Sequence, residues 1–276
     1  SNKELSKKYF LNAKNKRSEF ILNNYVSNSL YNWSSLSSLT QGKQQLNELD
    51  DRFDNIKKIQ KTFLHCFFDS SETNILFREL ISNQNTDFSR YNYFYALYVA
   101  SAENTKKAKE IVNSALKLYP RNLLINQYKI DLNENKNILL FDCKKREHII
   151  AEILYITANA LSSQSIYSLS NFYLNLARYL NEDFHSYDTL LAENFYEIDN
   201  LKKAKKIYKN ISNNGAAFHW YSSKQLARIY LKEGKKNEAL KLLSKSYNNL
   251  VNKEIYETFD YAEFLKNNEK FEDSIL

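Results

Sequence analysis

Metal and thiol chemistry in this chain would draw first on four histidines and two cysteines: His65, His148, His185, His219, Cys66 and Cys143. No two histidines stand at HExxH spacing, and only His65 has a cysteine beside it, Cys66. Neighbouring residues on a helix point about 100° apart, so that pair does not converge on an ion without further ligands. Neither a metal site nor a cofactor is expected. Glycine occurs only at 42, 215 and 234. The patterns GxGxxG, GxxxxGK[ST] and GxSxG therefore cannot be written anywhere in the chain, which argues against phosphate-cradling loops and a nucleophile elbow. Carboxylates abound, as at Asp50, Asp51 and Asp54, but they read as a solvated helix face. The chain is read as a protein without enzymatic activity. For Cys66 and Cys143 two readings stay open: each a small apolar core residue, or the two paired in an oxidising compartment.

Lysine dominates the charged residues. One basic run, KKAKKIYKN, carries Lys202, Lys203, Lys205, Lys206 and Lys209; another, LKEGKKNEALKLLSK, carries Lys232, Lys235, Lys236, Lys241 and Lys245. The formal net charge is +7. Heavy use of Lys, Asn, Ile and Tyr is what a low-GC genome produces, and an acidic partner is the competing explanation. Arg-rich readers and helix-insertion motifs are absent, so no nucleic-acid partner is expected. No run approaches the ~18–20 apolar residues of a membrane span.

The elements that position these side chains are helices. The chain of 276 residues has 3 glycines and 1 proline, where average usage of ~7% and ~5% would give about 19 and 14. Sheets and ligand-binding loops lean on both residues in their turns; this chain reads as helices joined by short polar turns. Its length is near the limit of a single compact core, a limit that stacked repeats avoid.

A repeat is visible in the small residues. Ala96, Ala158, Ala192, Ala227 and Ala262 each sit in an aromatic-rich helical stretch, spaced 62, 34, 35 and 35 apart. Twelve residues on from each lie Ala108, Ser170, Ala204, Ala239 and Ser274, all small. Seven further lie Ala115, Ala177, Ile211 and Ser246. Small side chains at positions 8, 20 and 27 of a 34-residue unit resemble the tetratricopeptide (TPR) pattern. There position 8 of helix A faces position 20 of helix B, and a bulky residue would force the helices apart at ~1–3 kcal/mol. Gly234 falls where a left-handed cap between helices A and B is wanted, and Pro120 closes an earlier unit. Units are expected at about 89–122, 151–184, 185–218 and 220–253, with a truncated one from 255. The fold expected is all-α, a TPR-like right-handed superhelical stack of antiparallel helix pairs.

In such a stack the A helices line a concave groove. Positions 2, 5, 9, 12 and 13 there give Glu152, Tyr155, Asn159, Ser162 and Ser163, then Ser186, Thr189, Glu193, Tyr196 and Glu197, then Tyr221, Lys224, Arg228, Leu231 and Lys232, and finally Tyr256, Phe259 and Glu263. Tyr155, Asn159, Glu193, Tyr196, Tyr221, Lys224 and Arg228 are the candidate contacts for a protein or peptide, since Tyr and Arg are over-represented at binding hot spots. The alternative is a structural element that self-associates through its solenoid ends.

Three regions follow: 1–84, helical and readable as degenerate hairpins; 85–145, one unit and an irregular connector; and 146–276, the main array. In the first, SSLTQGK and FDSSET read as turns. In the second, RNLLINQYKIDLNENKN reads as one helix and ILLFDCKKREH as a connector. The stretch from FDCKKREHIIAEILYITANAL through FYLNLARYLNEDFHSYDTLLAENFYEIDNLKKAKKIYKNI resembles an alphaproteobacterial family of TPR proteins, over roughly 138–276. Asn181, Glu182 and Asp183 replace that family's proline-containing turn, and Asn194 its glycine. The resemblance implies an exported, periplasmic or envelope-associated protein and no activity; without it the cytoplasm is the default. The chain begins SNKEL without methionine and ends KFEDSIL inside a helical pattern, which reads as a piece of a longer protein.

Overall fold

The computed structural model describes residues 2–16, 21–83, 86–102, 104–136, 138–270 and 272–274. It is all-α, with fifteen α-helices and two short 3-10 turns among the described residues. The chain divides into two compact units, Ser1–Ala108 with Leu139–Tyr187, and Lys109–Ile138 with Asp188–Leu276.

The first unit contains α1 (Asn2–Asn15), α2 (Ile21–Ser35), α3 (Leu39–Asn47), α4 (Asp54–Phe67), α5 (Thr73–Ile81), α6 (Tyr91–Ser101), the start of α7 (Thr105–Leu118), α9 (Arg146–Ser163) and α10 (Tyr167–Leu180). Sequential pairs pack together, and α9 also rests on α2 and α4. Its centre is aromatic: Phe63, Phe94, Phe141 and Phe184 meet with ring centroids 4.5–6.2 Å apart. Aromatic pairs in such offset and edge-on arrangements add to area burial.

One expected turn is a helix instead. SSLTQGK opens α3, with Ser38 as N-cap accepting from the Gln41 amide at 3.2 Å. Gly42 sits inside that helix because a β-carbon there would lie 2.5 Å from Leu64 Cδ1. Close approach, not turn geometry, is what this glycine provides.

The connector before α9 is non-helical from 138 to 145, and it is pinned rather than loose. Cys143 forms a disulfide with Cys66 of α4, Cα–Cα 5.9 Å. Lys144 pairs with Asp69, Asn181 Nδ2 donates to the Leu140 carbonyl at 3.0 Å, and Phe141 is buried in the aromatic centre.

The second unit holds most of α7, α8 (Leu123–Asn133), most of α11 (Ser186–Glu197), α12 (Leu201–Ile211), α13 (Ala216–Lys232), α14 (Lys236–Asn248) and α15 (Ile255–Asn267). Here α12 packs on α13, α13 on α14, α14 on α15, and α8 on α13. Trp220, Leu243, Tyr247, Tyr261 and Leu265 surround the buried Ala227 and Ala239.

The repeat is written in the backbone. Ser165, Asp199, Gly234 and Glu269 all have positive φ, at 61°, 60°, 75° and 64°. They are spaced 34, 35 and 35 residues apart, each seven residues after Ala158, Ala192, Ala227 and Ala262. Each is followed by the same closing bond: Ile166 N to Leu161 O, Asn200 N to Phe195 O, Lys235 N to Tyr230 O and Lys270 N to Leu265 O, at 2.8–3.0 Å. This is a left-handed helix cap satisfying an orphan carbonyl. The same cap also closes α4 at Asp69 and α8 at Asn135, but only the four above keep the 34–35-residue spacing. The helices from α9 to α15 are thus built as TPR-like pairs within their units.

Candidate functional site

The small residues that define the repeat are the points of closest helix approach. Ala96, Ala108, Ala158, Ala192, Ala204, Ala227 and Ala239 have no exposed surface; Ala177 has none either, and Ala115 almost none. Ala262 is half-buried. Ser170 Oγ donates to the Ala158 carbonyl at 2.7 Å, so positions 8 and 20 of that unit touch directly.

Of the candidate contacts, four come together in the second unit. Arg228 on α13 lies over the Tyr196 ring of α11 with its guanidinium carbon 3.9 Å from the centroid. Its nitrogens reach Glu193 at 3.7 Å and Glu197 at 3.4 Å. Tyr221 donates to Glu193 Oε1 at 2.9 Å, and its ring meets buried Tyr208 at 6.1 Å. Burial, with Tyr208 and Glu193 beside it, pushes the Tyr221 hydroxyl well above its ordinary value, so it stays a donor at any physiological pH. Residues three and four apart share a helix face, and the Tyr221–Glu193 and Arg228–Tyr196 contacts bring those faces of α11 and α13 side by side.

Lys224 is part of a second group on the same face. It pairs with Asp260 of α15 at 2.5 Å, and Asp260 also takes Arg121 at 2.7 Å. Arg121 precedes α8, whose Gln127 accepts from the Ala217 amide at 3.1 Å and whose Lys129 pairs with Glu254 at 2.8 Å. Helix α8 therefore occupies the starts of α13 and α15, and the open part of the face is centred on Tyr196 and Arg228. Of the two positions expected to carry the groove onward, Tyr256 is half-buried and Phe259 stays exposed; sequence periodicity gives no sign that α8 folds back here.

The remaining candidates belong to the first unit. Asn159 is exposed on α9. Tyr155 does not face an open groove: Arg90 stacks on its ring at 4.0 Å. Glu152, expected to line the groove at position 2, is wholly buried. It takes both Arg90 Nε at 2.7 Å and Nη2 at 2.9 Å. Ser186, another groove position, is buried and accepts from Arg90 Nη1 at 2.6 Å. Burial acts against the Arg90 charge, but the Glu152 carboxylate outweighs it and holds the guanidinium above its ordinary value. A bidentate guanidinium–carboxylate pair with every nitrogen engaged is how a buried charge is tolerated. Arg90 was missed because its partners lie 62 and 96 residues away.

The histidines do not converge. His65 Nδ1 lies 2.9 Å from Ser70 Oγ, His148 Nδ1 accepts from the Asp142 amide, and His219 sits near Ser246. Among the described residues no group of three or more His, Cys, Asp or Glu is arranged to hold a metal ion. No described helix is long and apolar enough to cross a membrane.

No family model matches the chain, and no curated protein matches it. Among solved structures, MamA MSR-1 C2 aligns over 72% of this chain and 97% of its own, with 12% identity and a TM-score of 0.31. The crystal structure of yeast Tom70 aligns over 97% of this chain and 58% of its own, with 14% identity and a TM-score of 0.35.

Proposed function

We propose that this chain is a non-catalytic scaffold that holds a segment of another protein on the A-helix face of α11 and α13. The observation that carries the reading is the Arg228–Tyr196 stack, rimmed by Glu193, Glu197 and Tyr221. A rigid aromatic and a guanidinium already fixed by neighbours lose little conformational freedom on binding, which is how hot-spot residues contribute. Lys232, which pairs with Asp199 at 2.8 Å and also approaches the Tyr196 ring, extends the same face. The Cys66–Cys143 disulfide supports an oxidising, envelope-side compartment, where such bonds persist.

The test is affinity capture from the native host with the wild type and a Tyr196→Ala/Arg228→Ala variant, both checked by thermal melting. A partner retained by the wild type and lost by the equally stable variant supports the reading. Identical captures with both sink it.

One observation favours self-association as a second reading. Ile255 and Phe259, one turn apart on α15, are 90% and 59% exposed. Concentration-dependent dimerisation abolished by Phe259→Lys would support that reading.

A further inference from the structure

A cavity of about 660 Å³ opens in the second unit, and none of the residues of the Tyr196–Arg228 face lines it. Its size is that of a small-ligand site. Its walls come from α8, the turn before α13, the end of α14, the following connection and the start of α15.

The electrostatics of this cavity oppose those of the chain. Three helices end on it: α8 at Glu134, α12 at Ser212 and α14 at Asn249, the C-caps of helices of 11, 11 and 13 residues. Helix C-termini carry partial negative charge and favour cations. Two helix starts also reach the cavity, and each has at least one amide taken by a side chain. Gln127 takes the Ala217 amide of α13, and Glu254 and Glu257 close a capping box on α15. Three glutamates line the walls, Glu134, Glu254 and Glu257, against one lysine, Lys129. Lys129 is neutralised by Glu254, and Glu134 has Lys136. Glu257 is only 6% exposed; it accepts from the Glu254 amide at 2.9 Å and from the Tyr256 hydroxyl at 3.4 Å, and among the described residues no cation lies at ion-pair distance from it. Between these acidic groups lie Ile130, Ala216, Leu250 and Val251, an apolar wall.

We propose that this cavity binds a primary alkylammonium, with the charged nitrogen against Glu257 and the helix ends and the aliphatic stem along the Leu250–Val251 wall. A bare ion would leave the apolar wall unused, and an anion would meet three helix C-termini. The same chemistry is carried by a lysine side chain of a peptide and by a free aliphatic diamine.

Isothermal titration of the full chain distinguishes them. The probes are Nα-acetyl-lysine N-methylamide, its norleucine counterpart and 1,5-diaminopentane. Saturable binding of an amine at one site per chain is expected, with norleucine about tenfold weaker or worse, the loss of a charge-assisted hydrogen bond. Tighter binding of the blocked lysine assigns the site to a peptide; tighter binding of the diamine assigns it to a free amine. Glu257→Gln keeps an acceptor for the capping bond and should weaken the amines about tenfold. Val251→Arg alters a side chain that is 95% exposed, so the fold is spared while a tethered cation competes for the site; it should abolish binding. The proposal is overturned if no amine saturates, if norleucine binds as well as lysine, or if Val251→Arg leaves affinity unchanged.

Discussion

Ser170 donates its hydroxyl to the carbonyl of Ala158, twelve residues earlier, at 2.7 Å, and neither residue has any exposed surface. The bond marks where α9 and α10 run closest. Ser170→Ala removes the bond but leaves the approach intact, and should cost about 0.5–1.5 kcal/mol. Ser170→Leu forces the axes apart and should cost more, about 1–3 kcal/mol of overpacking beyond the lost bond. Urea unfolding of the two variants checks the order. If leucine is tolerated as well as alanine, the helices are not in contact at this point.

The left-handed caps offer a prediction of opposite sign. Glycine occupies that position only at Gly234; Ser165 and Asp199 hold the same backbone with a β-carbon, at φ 61° and 60°. A left-handed residue other than glycine costs roughly 1–2 kcal/mol, part of which glycine returns through its looser unfolded state. Ser165→Gly and Asp199→Gly should each raise stability by about 0.5–1 kcal/mol. A lower melting temperature in both would mean that their side chains, not the backbone, set the turn.

Ala158 and Ala192 betray the array in the sequence because a close helix contact admits almost no other residue type, and that constraint recurs with every unit. Position 2 of helix A carries no such constraint. Glu152 has the composition of a groove residue, and only a third element, bringing Arg90 from 62 residues away, turns it inward. Gly42 is similarly ambiguous. A lone glycine among Ser, Thr and Gln reads as a turn, and the reason it sits in a helix is Leu64, 22 residues on. The Tyr196–Arg228 face was legible because its four members fall at fixed positions of adjacent units. The return of α8 onto α13 was not, since it follows from contacts such as Gln127 with Ala217, 90 residues apart.

The disulfide closes a long segment. Cys66 and Cys143 are 77 residues apart, and a cross-link over a loop of that length restricts the unfolded chain by about 4.5 kcal/mol in the chain-entropy description. Denaturant unfolding with and without reductant should show a loss of that order, reproduced by Cys66→Ala/Cys143→Ala. If reductant changes nothing, the thiols are not joined in solution and the support for an oxidising compartment falls with them.

The Arg90–Glu152 pair should be far more costly to break than to replace. Glu152→Gln leaves a buried guanidinium without its counter-charge, a loss of about 3–5 kcal/mol. Arg90→Met together with Glu152→Leu removes both charges and should cost much less than the two single changes summed. A double-mutant cycle in urea measures the difference. Additive single effects would show that the two side chains do not interact.

Glu257 predicts a particular pH dependence. Burial is the largest influence on its carboxyl, and Glu254 nearby adds to it, so the group is held above its ordinary value of 4.5 despite the bond from the Glu254 amide. The folded chain therefore keeps this proton to higher pH than the unfolded chain does. As pH rises from about 4.5 through the folded value, the native state binds more protons than the unfolded state, and stability declines; below that window the cost is absent. Glu257→Gln removes the titration while its amide oxygen still accepts at the third helical position. The variant should lose this part of the slope, gaining in melting temperature on the wild type as pH rises above about 4.5. Parallel melting curves across that range would place the Glu257 carboxyl in water rather than in the wall of the cavity.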